Sequence, residues 1–147
     1  MPGLFEFFVT VRFQRFLPML QLKKQQLQSE IASITAEIEK VTAEENRWRE
    51  SLRPWIGLFA SGEVPSDLVV LDSIDSTTGN IAGVPIPVYN GIRTTRAEID
   101  PFDTPAWLDD AADAIESAMA FSARRTIFER QRELVSEELR STSQRSS

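Results

Sequence analysis

The residues of this chain that could carry chemistry are two carboxylate pairs, a pair of spaced glycines, two cation pairs and three tryptophans. Asp109-Asp110 and Glu137-Glu138 are the nearest approach to an acid–base or cation site. No further ligand types converge on either, so both read as solvated charge on helix surfaces. Gly79-Asn-Ile-Ala-Gly83 holds two glycines but lacks the Lys-Ser/Thr that a phosphate-cradling loop needs. The 147 residues include no cysteine and no histidine. That composition excludes disulfides, thiolate nucleophiles, zinc sites of the usual ligand types and imidazole acid–base chemistry. Serine and threonine are plentiful, but none has a histidine to activate it. Lys23-Lys24 and Arg124-Arg125 could each meet an acidic partner, although solvated flanks of a helical seam are the plainer reading. No catalytic constellation, cofactor site or metal site is expected.

The element that positions most of these residues is a long helix. Alternate steps of four and three pass through Phe13, Leu17, Leu20, Lys24, Leu27, Ile31, Ile34, Ile38, Val41, Glu45, Trp48, Leu52, Trp55 and Phe59. Only Lys24 and Glu45 interrupt the apolar run. A repeat averaging about 3.5 residues keeps one apolar stripe along a slightly underwound helix, which is a coiled-coil seam. The helix is expected from about Phe5 or Phe13 to about Ala60, kinked at Pro18 and Pro54 and stopped by Ser61-Gly62. Its length, on the order of 70 Å, exceeds what a small domain can bury, so a partner must run along it. Trp48 and Trp55 fall on the seam and read as core rather than as anchors for another protein.

Residues 66–100 change character. Leu68-Val-Val-Leu-Asp-Ser-Ile and Ile81-Ala-Gly-Val-Pro-Ile-Pro-Val-Tyr are strand-forming runs, separated by the turn-rich Asp75-Ser-Thr-Thr-Gly-Asn. This predicts a β-hairpin with a longer loop. Pro85 and Pro87 predict a short or irregular edge strand, and Asn90-Gly91 a further turn. Asp103-Thr104-Pro105 then predicts a capped helix start, with Asp109, Asp110 and Asp113 in its early turns. Trp107 is expected to pack where the hairpin meets the helices. Ala111, Ala112, Ala114, Ala118, Ala120 and Ala123 thin this second helix and admit a close neighbour. The expected fold is mainly α: a long antiparallel two-helix coiled coil with a central β-hairpin excursion. It is one domain, with an N-terminal helix over 1–60, a hairpin insert over 61–103 and a C-terminal helix over 104–147.

The chain carries 16 basic and 22 acidic residues, a net charge of −6. That balance argues against nucleic acid, which needs a concentrated positive surface. The charge is uneven, with 2 basic and 7 acidic residues in 61–103 between two mixed-charge arms. The apolar start has no basic residue before Arg12 and no small-residue cleavage site, so no signal peptide is expected. No run reaches the roughly 18 apolar residues of a membrane span, so direct membrane insertion is not expected and the chain reads as soluble.

Four segments, in order, resemble one family. They are Arg15-Phe-Leu-Pro-Met-Leu-Gln-Leu-Lys-Lys-Gln-Gln-Leu-Gln, Asn80-Ile-Ala-Gly-Val-Pro-Ile-Pro-Val-Tyr, Asp103-Thr-Pro-Ala-Trp-Leu-Asp-Asp-Ala and Glu138-Leu-Arg-Ser-Thr-Ser-Gln-Arg. Together they look like the D subunit of V/A-type ATPases, the bacterial V-type ATP synthase form most of all, over about residues 12–145. The motif residues concerned include Leu17, Pro18, Lys23, Lys24, Gly83, Val84, Pro87, Thr104, Pro105 and Trp107. The resemblance implies a non-catalytic rotor shaft, cytoplasmic and held at the membrane only through its complex. Its tip would enter the hexamer of catalytic and regulatory subunits, and the small F subunit and a C/d-type socket would join it to the membrane ring. It would carry torque between ATP chemistry and the transport of protons or sodium ions.

Relative to that family, a basic helical segment ahead of Leu17-Pro18 and a helical stretch after Gln144-Arg145 are missing, which predicts a truncated or misassembled version of the subunit, shortened at both ends. The competing expectation is a prefoldin-like chaperone or coiled-coil adaptor, since two helical arms with a hairpin also describe such proteins.

Overall fold

The computed structural model describes residues 3–57, 64–100 and 102–146, with side chains at position 4 and, within those ranges, from 17 to 145. Two long helices dominate. Helix α1 spans Leu4–Ser51 and helix α2 spans Trp107–Ser146. Strands β1 (Val69–Ile81) and β2 (Val84–Arg96) form an antiparallel hairpin between them in the chain. The fold is mainly helical, as the heptad pattern and the strand-forming middle predict. At about 1.5 Å per residue, α1 is roughly 72 Å long and α2 roughly 60 Å.

The helices pack antiparallel. Lys23 meets Glu138 near one end of the pair, and Glu45 meets Arg125 near the other. Trp48 and Phe121 stack at a tilt of 46°, with ring centroids 5.6 Å apart. The partner that α1 requires is therefore supplied by the same chain. Leu20, Leu27, Ile34 and Val41, one residue per heptad, are buried, whereas Leu17, Lys24, Ile31 and Ile38 are half-buried. The seam is asymmetric because α2 covers one row of the stripe more fully than the other.

Helix α1 ends earlier than the seam suggests. Pro54 lacks an N–H and crowds the carbonyl four residues before it, so the chain leaves the helix after Ser51 and makes a 3-10 turn over Arg53–Trp55. Leu52 and Trp55 thus lie beyond α1. Pro18 is tolerated within the helix, on its exposed side. Ile56 and Gly57 are helical again after the turn, while residues 58–60 of the expected helix, Phe59 among them, and the Ser61-Gly62 stop lie outside the described residues, and the side chain of Phe13 does too.

The hairpin differs from expectation in its turn. Asp75–Asn80 belongs to β1, and the chain reverses at Ala82-Gly83, between the paired residues Ile81 and Val84. Both turn residues have positive φ, 51° and 84°, the handedness of a two-residue turn matched to strand twist. The Asn80 side-chain carbonyl closes the turn by accepting the Gly83 N–H at 3.0 Å. Gly79 sits in the strand opposite Ile86, where an added Cβ would come within 2.7 Å of Val88 Cγ2. A glycine in a turn-rich run here relieves cross-strand crowding. Asn90-Gly91 is a bulge rather than a turn: both residues oppose Asp75, and Gly91 has a φ of 115°.

Strand β2 is 13 residues long despite its prolines. Residues two apart present their N–H positions to the same side, and in a two-stranded ribbon one side of β2 has no neighbour to receive them. The hairpin lies along α2. At its base, Leu68 and Val69 pack on Leu108, Ala111 and Ala112, with Trp107 against the same cluster. At its tip, Val84 and Ile86 join Leu27, Ile34 and Val135 in a second core. The alanines of α2 admit this close neighbour. The helix itself begins at Trp107, after turns over 102–106, and the Thr104 hydroxyl donates to the Asp100 carbonyl at 2.7 Å rather than capping the helix.

Candidate interaction surface

Several of the chemistry-bearing residues hold elements together. The expectation of solvated flanks fails for three of the four paired cations. Lys23 Nζ donates to Glu138 Oε1 at 2.8 Å, Arg124 lies 3.6 Å from Glu44, and Arg125 makes two hydrogen bonds to Glu45, at 2.6 and 3.0 Å. The acidic partner of each lies in the other helix of the same chain. Glu45 is only 4% exposed, and Arg49 also approaches it at 3.5 Å from the next turn of α1. Its place in the seam, where an apolar residue is due, was the available sign of this pairing. The position of Arg125 opposite it was not readable from local sequence.

A second cluster ties the hairpin base to α2. Arg96 reaches Glu116 through two nitrogens, each at 2.8 Å, and Asp113 at 2.5 Å, while Thr94 Oγ1 donates to Glu116 at 3.0 Å. The Arg96 guanidinium holds the Glu116 carboxyl below the usual glutamate range, and Glu116 with Asp113 raises Arg96 above its ordinary value. Glu138 is likewise lowered, first by its hydrogen bond from Lys23 and further by Arg145. Near the hairpin tip, buried Gln131 donates from Nε2 to the Pro87 carbonyl at 2.7 Å.

Of the motif residues, Leu17 and Pro18 line a shallow groove with Gln21, Leu22 and Gln25 on the outer face of α1. Lys23 and half-buried Lys24 follow on the same helix. Gly83 forms the hairpin turn, Val84 is buried beneath it, and the Pro87 carbonyl anchors it to α2. Thr104 and Pro105 shape the approach to α2, where the Pro105 carbonyl accepts the Leu108 N–H at 3.1 Å. Trp48, Leu52 and Trp55 face Ala111 and Ala114 across an open cleft where the C-terminal end of α1 meets the start of α2. The structure therefore spreads these residues along the length of the molecule and gathers them into no single pocket. Among the described residues, no group of histidine, cysteine or carboxylate side chains is placed to hold a metal.

The sequence model of one family, the D subunit of ATP synthase, matches residues 10–146, which takes in both helices and the hairpin. The chain belongs to the ATP synthase D-subunit family. Among its curated relatives, the V-type ATP synthase D subunit of Borreliella burgdorferi is 32% identical over 133 residues, covering 90% of this chain and 66% of the relative. The protein of the same name from Chlamydia abortus is 26% identical over 136 residues, with 90% and 65% covered. That from Chlamydia muridarum is 31% identical, with 87% and 64% covered. This member of the family thus spans slightly less than two thirds of the length of these three relatives. Among its described residues, no helix is long and apolar enough to cross a membrane.

Proposed function

We propose that the chain is a non-catalytic central-stalk subunit of a V/A-type rotary ATPase, the shaft that transmits torque between the catalytic hexamer and the ion-translocating ring. The observation that carries this reading is the family match running through an antiparallel pair of long helices. A shaft must resist twist and bending while presenting different faces to the subunits around it. Two helices joined by a buried seam and by cross-helix ion pairs meet that mechanical demand better than one helix. The side chains described above bind element to element, which suits a part that moves as a unit and performs no bond chemistry. In this reading its partners are the catalytic and regulatory subunits of the hexamer, the small F subunit and the C/d-type socket at the membrane ring.

The test is rotation. The chain has no cysteine, so Ser76→Cys on the exposed part of β1 accepts a single optical probe. In rotary ATPase assembled with the labelled chain and fixed through its hexamer, the probe should turn in ATP-dependent steps. A probe that stays still while the complex hydrolyses ATP would overturn the shaft reading.

A further inference from the structure

The seam of α1 leaves an ambiguity that its apolar residues cannot resolve. Leu20, Leu27, Ile34 and Val41 are buried at intervals of one heptad. A slip of α1 by seven residues along α2 would replace each by another large apolar residue. The hairpin does not remove the ambiguity, because its tip packs on Leu27 and Ile34. One heptad away those places are taken by Ile34 and Val41, or by Leu20 and Leu27.

The ion pairs discriminate unequally. Glu44 faces Arg124, but a slip in one direction brings Glu37 to the same place, so that bridge survives. Lys23 faces Glu138 with both side chains about a third exposed, 36% and 30%. A slip in the other direction would set Glu30 against Glu138, a repulsion that solvent screens. The Glu45–Arg125 pair is different. Glu45 is buried and Arg125 binds it with two parallel hydrogen bonds, a geometry that fixes position as well as charge. A slip in the first direction puts Ile38 opposite Arg125 and carries Glu45 to Ala118, away from any cation of α2, whereas a slip in the second puts Leu52 opposite Arg125 and carries Glu45 to Arg132, one heptad on. Breaking such a pair costs far more than replacing both members by apolar residues.

We infer that Glu45 and Arg125 are a register lock of the α1–α2 coiled coil, the contact that bars the first of the two slips the apolar seam accepts, the second being opposed by Glu30 meeting Glu138. A single buried polar position specifying alignment at some expense of stability is an established use of such groups in coiled coils. The lock is a property of the helix pair and stands apart from the rotor reading, so its test involves no ATPase measurement.

The cysteine-free chain allows nitroxide labels at Ala43→Cys and Arg140→Cys, exposed sites on the two helices. Double electron–electron resonance on the parent chain should give one distance population. Replacing both lock residues, Glu45→Leu with Arg125→Leu, should add a second population from helices displaced axially by about 10 Å, seven residues at about 1.5 Å each. Thermal unfolding of the apolar variant should not shift downward. A single population, unchanged from the parent, would overturn the lock. If the apolar variant loses its helical circular dichroism, Glu45→Gln decides: a second population supports the lock, and a single one rejects it.

Discussion

Thr142 shows how a single seam position can be strained by polarity. It is fully buried on α2, and its hydroxyl has no hydrogen-bond partner among the described residues. A buried, unpaired hydroxyl costs about 1–3 kcal/mol, whereas an apolar group of the same shape costs nothing comparable. Thr142→Val should therefore raise the stability of the chain by about 1 kcal/mol in urea denaturation. A lower midpoint would show that the hydroxyl does have a partner in solution. Leu27 is the opposite case, since it is fully buried between the helices and under the hairpin tip. Its burial was legible from spacing alone, because every heptad-equivalent neighbour is also apolar. Thr142 was not legible, because it sits in a polar terminal run and nothing in the sequence shows what lies across from it.

At the scale of elements, the hairpin carries the clearest lesson. Local turn propensity pointed to Asp75–Asn80, yet the reversal falls at Ala82-Gly83. The apolar residues Val84 and Ile86 decide this, since only a turn immediately before them turns both toward the core formed by Leu27, Ile34 and Val135. Gly83 at a φ of 84° is the residue that permits so tight a turn. Gly83→Ala should cost about 1 kcal/mol, read as a lower unfolding midpoint. Hydrogen exchange should quicken first at 81–84 and only later in the helices. The same balance explains α1. Its seam continues on paper through Leu52 and Trp55, but Pro54 ends the hydrogen-bond ladder before the apolar pattern runs out.

For the whole molecule, a small set of carboxylates adds ties between the three elements that the apolar cores join. Glu116 ties the hairpin to α2, Glu138 ties α2 to α1, and both are held below the usual glutamate range by their cationic partners. A carboxyl depressed in the folded state contributes stability that is complete above its unfolded pKa, about 4.3. That contribution is lost as pH falls through the lower folded value. Stability should thus decline below about pH 5. Glu116→Gln with Glu138→Gln should be less stable than the parent at pH 7 and should lose part of that acid-limb slope. Parallel curves for parent and variant across that range would show that these two groups do not supply it.

By itself the sequence determined the two long amphipathic helices, the strand-forming segment between them, the absence of thiol and imidazole chemistry and the likeness to its family. Those features follow from local periodicity and from which residue types are present, and neither needs a partner to be known. Only the tertiary structure decided where the hairpin turns, where α1 stops, and that Lys23, Arg124 and Arg125 find their acids within the chain. Pairings of that kind join residues as far as 115 positions apart. They depend on the alignment of one helix against another, and a heptad pattern is silent about alignment because it repeats.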